Sequence, residues 1–114
     1  MPYIEAKLSV KLNENQKEDL QKNLSDILSS AFSKPKSYIM TNIEDSKSLY
    51  MGGKNVDNGA YIVVRSLGSI SKFSCQAATK DMCDMLIRDY GLDGANIYIT
   101  YHPVDFWGWN GSMF

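Results

Sequence analysis

The chain opens Met1-Pro2 and runs at once into an alternating stretch, Tyr3 to Val10. A proline at the second position is small enough for the aminopeptidase that removes initiator methionine. The product would carry a free secondary amine at its N-terminus, a group that is both nucleophile and base and has no side-chain torsions to average. An α-amino group has a reference pKa of about 7.7–8.0. Apolar surroundings and a nearby cation both disfavour its charged form and lower that value. A base poised near neutral pH is what proton abstraction beside a carbonyl requires.

Few other groups compete for a catalytic role. The sequence contains no CxxC, HExxH, phosphate-loop or GxSxG signature. His102 is the only histidine and stands beside Pro103, a thin basis for a histidine-centred triad. Cys75 and Cys83 have no third or fourth partner at metal-ligand spacing, so neither a metal nor another cofactor is expected. On one helix they would lie roughly 12 Å apart at 1.5 Å rise per residue, too far for a disulfide within the chain. They read as small buried apolar residues in a reducing, cytoplasmic compartment. No apolar leader precedes the first strand, although export by a route needing no signal peptide leaves no trace of this kind.

The amine matters only if the chain builds a pocket around it. At 114 residues the expectation is one domain over 1–114. Twelve Lys+Arg against thirteen Asp+Glu, with no basic stripe, argue against a nucleic-acid partner. No window approaches the ~18 apolar residues of a membrane span.

In Tyr3–Val10, Ile4, Ala6, Leu8 and Val10 fall on one face, the pattern of a half-buried strand. Asn13 fits a helix N-cap with Gln16 in the capping-box position. Leu20, Leu24, Ile27, Leu28, Ala31 and Phe32 recur at helical spacing. Pro35 forbids continuation and leaves Lys34 at the junction. Residues 37–43 read as a second strand and 44–59 as a loop with a plain turn at Gly52-Gly53. Residues 60–67 read as an interior strand, apolar on both faces. Ser69 or Ser71 caps a second helix that Gly91 stops. Residues 96–102 read as a fourth strand ended by Pro103, followed by an aromatic tail.

The order is β-α-β twice. Two such units can lay four strands in one mixed sheet with both helices on one face, an α/β (α+β two-layer) arrangement. The sheet's other face and the aromatic tail then need cover, which points to an oligomer.

Several pieces in this order carry a resemblance: Met1-Pro2; Lys34-Pro35-Lys36-Ser37-Tyr38-Ile39-Met40; Gly52-Gly53; Ser66-Leu67-Gly68; Asn96-Ile97-Tyr98-Ile99; and Gly108-Trp109-Asn110-Gly111-Ser112-Met113-Phe114. The chain resembles the macrophage migration inhibitory factor branch of the tautomerase superfamily along its whole length. The resemblance implies a homotrimer with active sites between subunits. It implies Pro2 as general base in keto–enol tautomerisation of phenylpyruvate-like α-keto acids and in dopachrome isomerisation. Lys34 would bind the substrate carboxylate, and the Leu67 backbone, with Ser66 beside it, would offer hydrogen bonds. Tyr98 and Thr100 would come from a neighbouring subunit, and Tyr38, Trp107 and Phe114 would line the apolar end.

The resemblance equally implies a second role, a secreted cytokine-like ligand for a cell-surface receptor of the invariant-chain type, with the pocket incidental. A small apolar-ligand carrier without turnover is a third reading. The chain departs from the family pattern at Leu67, where isoleucine is common, at Thr100, where the vertebrate protein has asparagine, and at Trp107, where a smaller residue is usual. Gly59 and Ile62 stand where the vertebrate protein has a cysteine pair, so no thiol oxidoreductase chemistry carries over.

Overall fold

The alternating opening forms β1 (Pro2–Leu8), with Pro2, Ile4, Ala6 and Leu8 buried and the residues between them half-buried. The strand begins one residue earlier than the alternation suggests and stops short of Val10. Ser9 turns aside to receive the chain's later return: its N–H donates to the Gly59 carbonyl (3.1 Å) and its Oγ accepts from the Gly59 N–H (2.8 Å). The computed structural model describes residues 1–114.

Helix α1 (Glu14–Phe32) starts where the sequence says it should. Asn13 accepts from the Gln16 N–H and the Gln16 side chain accepts from the Asn13 N–H, a complete capping box. Leu20, Leu24 and Leu28 are fully buried along its inner face, each contributing about 1.5–3 kcal/mol relative to exposure. The helix ends without a glycine, at Ser33 in left-handed geometry (φ 53°).

The next segment differs from the expected strand at 37–43. Lys36–Tyr38 is a 3-10 turn, and only then does β2 (Met40–Glu44) begin. Pro35 is extended (φ −62°, ψ 134°), and the N–H groups of Tyr38 and Ile39 turn back to the carbonyls of Pro35 and Lys36. Those local bonds outweigh the strand preference of Tyr38 and Ile39. The expected loop at 44–59 also holds structure, a short hairpin of β3 (Leu49–Met51) and β4 (Lys54–Val56). Its turn is Gly52-Gly53, both at positive φ (59° and 79°), a conformation that glycine adopts without strain.

Strand β5 (Ala60–Leu67) lies inside the sheet, as expected, between β1 and β6 (Ile97–Val104). Helix α2 (Lys72–Tyr90) connects β5 to β6, capped by Ser71 and stopped by Gly91 in left-handed geometry (φ 67°). Pro103 does not end β6; it pairs opposite Ser66. Here β6 is an edge strand with no neighbour on its outer side to miss an N–H. The aromatic tail is a second hairpin, β7 (Gly108–Trp109) and β8 (Ser112–Met113), turning through Asn110-Gly111, both at positive φ.

The four-stranded sheet has order β2-β1-β5-β6. β1 pairs parallel with β2, β5 pairs parallel with β6, and the central pair β1–β5 is antiparallel. This is the duplicated β-α-β arrangement in a mixed sheet. One sheet face, carrying Ile4, Ala6, Leu8, Ile62 and Val64, packs with Leu20, Leu24 and Leu28 of α1 and Ala78, Met82 and Leu86 of α2 in a single core. The other face carries Tyr3, Glu5 and Lys7 of β1, Tyr61, Val63 and Arg65 of β5, and Tyr98, Thr100 and His102 of β6. It is mostly polar, with Val63 nearly buried and Tyr98 well exposed (62%). No helix is long and apolar enough to cross a membrane.

Candidate active site

The register of the central strands decides where the N-terminal amine sits. Pro2 pairs opposite Ser66, and both are fully buried. One residue further out, the Leu67 N–H donates to the Met1 carbonyl (3.2 Å). The chain start is therefore fastened to the sheet. Burial, first, and the positive charge of Lys34, second, hold the Met1 amine below the ordinary pKa of an N-terminal amine. With Met1 in place, the Pro2 nitrogen is an amide.

Lys34 reaches this position through the end of α1. Its N–H donates to the Ser29 carbonyl (3.2 Å), and the Ser29 hydroxyl donates to the Lys34 carbonyl. Ser29 thus fixes the Lys34 backbone from both sides. Lys36, two residues on, reaches back to Asp26, with Nζ 2.7 Å from Oδ1. That oxygen has no hydrogen bond of good geometry, so the contact is an ion pair by distance only and adds little at the surface.

Around the amine lies a cleft of about 630 Å³. Met1, Pro2 and Tyr3 form its floor, residues 37–40 one side, and Trp107, Gly108 and Trp109 the other, with Arg65 completing the lining. The aromatic residues brace one another. Tyr38 meets Trp109 edge-on (centroids 6.1 Å, 87°), and Phe114 stacks on Trp109 (5.7 Å, 21°). The Phe114 N–H donates to the Trp107 carbonyl (3.1 Å) and closes the tail hairpin.

Of the residues singled out in the sequence, Pro2, Tyr38 and Trp107 line this cleft. Ser66 and Leu67 lie directly beside its floor, Lys34 acts on its amine, and Phe114 backs Trp109. Tyr98 and Thr100 are not brought to it within one chain. Tyr98 borders a separate groove of about 310 Å³ with Leu49, Tyr50, Met51, Val56 and Tyr61. Thr100 lies mid-strand, with its Oγ1 3.2 Å from the Tyr61 hydroxyl and 2.9 Å from His102 Nε2.

Among the lining residues not singled out in the sequence, Trp109 and Arg65 bear most on the chemistry. Trp109 is the hub of the aromatic cluster, and the Asn110-Gly111 turn that folds it back was legible as a hairpin signal. Arg65 is the charge that ends the apolar run Ile62-Val63-Val64, an irregularity that marks it in retrospect. No group of three or more His, Cys, Asp or Glu side chains is gathered so as to hold a metal ion.

Comparison with known proteins agrees along the full length. Residues 1–114 match the family described as macrophage migration inhibitory factor. The chain is 30% identical over 98 residues to the macrophage migration inhibitory factor of Xenopus tropicalis, covering 83% of this chain and 84% of that protein. Among solved structures, the macrophage migration inhibitory factor-like protein of Entamoeba histolytica superposes with a TM-score of 0.89 at 28% identity, covering 99% of this chain and 98% of that one. MIF2 of Leishmania major does so with a TM-score of 0.89 at 24% identity, covering 100% and 97%.

Proposed function

Because the chain belongs to the macrophage migration inhibitory factor family, we propose that it is a keto–enol tautomerase whose general base is the amine of Pro2, freed by removal of Met1. Its substrates are aromatic α-keto acids of the phenylpyruvate type and dopachrome-like compounds. The observation that carries this reading is the start of the chain at an aromatic-walled cleft: Pro2 lines it, and burial and Lys34 hold the Met1 amine, one residue further out, below its ordinary pKa.

The chemistry follows from the residues around that amine. Lys34 attracts the substrate carboxylate. Neutral Pro2 nitrogen takes a proton from the carbon beside the ketone. The C–H electron pair becomes the enol double bond, and the carbonyl oxygen takes up a proton from solvent or a neighbouring hydroxyl. Loss of Met1 also removes the carbonyl to which the Leu67 N–H now donates. That donor is then free for the oxygen that gains charge, the kind of pre-aligned group that stabilises an enolate. Tyr38, Trp107, Trp109 and Phe114 hold the aromatic end and exclude water. The working form is a homotrimer in which Tyr98 and Thr100 of a neighbouring subunit complete each site.

The test is phenylpyruvate tautomerisation by methionine-free protein, beside a Pro2→Gly variant whose fold is checked by circular dichroism. A fall of at least tenfold in the variant is expected. Equal rates for two folded proteins would sink the reading.

A further inference from the structure

The charge at the cleft is of one sign, positive. Arg65 is the only residue lining it with a charged side chain, and no acid lines it. Lys34 adds a second positive charge close enough to act on the amine. The whole chain is nearly neutral, with a formal charge of −1, so this is a local concentration and not an average property.

Arg65 also lacks a use within the chain. It stands on the sheet face turned away from the helices, opposite Tyr3 on one side and His102 on the other. No hydrogen bond or ion pair engages its guanidinium, whereas the other arginine, Arg88, is paired with Asp89. Glu5, a nearby acid on the same face, is already engaged by Lys7 (3.7 Å) and by the Tyr3 hydroxyl (3.3 Å). A guanidinium presents a planar fork of donors that matches a carboxylate. Arg65 immediately precedes Ser66 and Leu67, the two residues that meet the start of the chain, so it shares the cleft lining with Met1 and Pro2.

We propose that the cleft takes a substrate with two anionic groups, an aromatic 2-oxo acid bearing a second carboxylate, and that Arg65 holds the second one. This deepens the tautomerase reading and rests on it for the word substrate; the binding claim stands apart. Lys34 takes the carboxylate next to the reacting carbon. Arg65 takes the distal one across the aromatic ring, and discriminates dicarboxylates from simple aryl acids.

The test measures binding without turnover. Trp107 and Trp109 line the cleft, so their fluorescence reports occupancy. Methionine-free protein is titrated with benzoate and with terephthalate, then Arg65→Gln and Arg65→Lys are titrated in the same way. Terephthalate should bind at least tenfold more tightly than benzoate. Arg65→Gln should reduce that ratio below threefold, and Arg65→Lys should restore part of it. Equal binding of the two acids by the unaltered protein, or a ratio that survives Arg65→Gln, would overturn the proposal. So would a sedimented mass that falls in Arg65→Gln, which would assign the arginine to a contact between copies. An Arg65-dependent ratio in a protein that fails to tautomerise phenylpyruvate would uphold the proposal and remove the tautomerase reading instead.

Discussion

Ser29 lies outside the cleft lining, yet it fixes the backbone of Lys34. Its carbonyl accepts the Lys34 N–H and its hydroxyl donates to the Lys34 carbonyl, just past the left-handed Ser33. Ser29→Ala removes only the second bond and leaves a half-buried carbonyl without its partner. A hydrogen bond of this kind contributes about 0.5–1.5 kcal/mol net. The global stability measured by urea unfolding should therefore fall by about 1 kcal/mol. If the whole of that loss also appeared as imprecise placement of Lys34, kcat/KM for an α-keto acid would fall by up to about tenfold, since 1.4 kcal/mol is one decade. A three- to tenfold loss, mostly in KM, is expected, followed through the ultraviolet absorbance of the enol. An enolisable aryl ketone without a carboxylate should be unaffected, and Ser29→Thr, which keeps the hydroxyl, should recover most of the loss. Unchanged KM for the acid, or an equal loss for the uncharged ketone, would refute the idea that Ser29 acts by aiming Lys34.

Three further outcomes follow from the same contacts. Burial and Lys34 both lower the pKa of the Met1 amine, and the same charge should act on the Pro2 amine once Met1 is gone; only the neutral amine can accept a proton, so Lys34→Ala should move the acidic limb of the kcat/KM profile to higher pH. In Tyr101, burial pushes the phenol up to about 12 from an unfolded value of about 10. Its stabilising effect is complete below pH ~10 and is lost as pH rises from ~10 to ~12, about 1 kcal/mol once solvent screening of this half-buried group is allowed for. Tyr101→Phe should lack that part of the alkaline decline when urea midpoints are compared at neutral and alkaline pH. Gly59→Ala would set a methyl 2.5 Å from Val56 Cγ1 and 2.7 Å from the Asn96 carbonyl oxygen, and unfolding in urea should show a cost of about 1–3 kcal/mol.

Much of the scaffold was legible because it is written in local chemistry. The capping box at Asn13 and Gln16, the leucines at 20, 24 and 28, and the stop at Gly91 each declare themselves within a few residues. The duplicated β-α-β order then left few ways to build one sheet. Where the reading slipped, a bond or a neighbour outside the window decided the outcome. The turn at Lys36–Tyr38 exists because two N–H groups fold back onto Pro35 and Lys36. Pro103 survives inside β6 because that strand lies at an edge, a fact that only the sheet order supplies. The β3–β4 hairpin was signalled by Gly52-Gly53, but its strands are three residues long and carry Lys54 and Asn55, too short and polar to show alternation.

The site divides in the same way. Pro2, Lys34, Tyr38 and the tail gather because β1, the end of α1 and the last hairpin converge at one end of the sheet. Tyr98 and Thr100 sit further along β6, opposite Tyr61 and Val63. Within a single chain they lie away from the cleft. Arg65 escaped notice because strand alternation says which face a residue takes and not what borders that face.

In the proposed function the proline amine, and not merely the cleft, does the chemistry. The direct measurement is phenylpyruvate tautomerisation by two forms of the same protein, one retaining Met1 and one lacking it, each assigned by intact mass. Only the methionine-free form should turn over substrate, with the methionine-bearing form at or near the uncatalysed rate. Equal activity in the two forms would contradict it, because a tertiary amide at Pro2 has no basic nitrogen to offer.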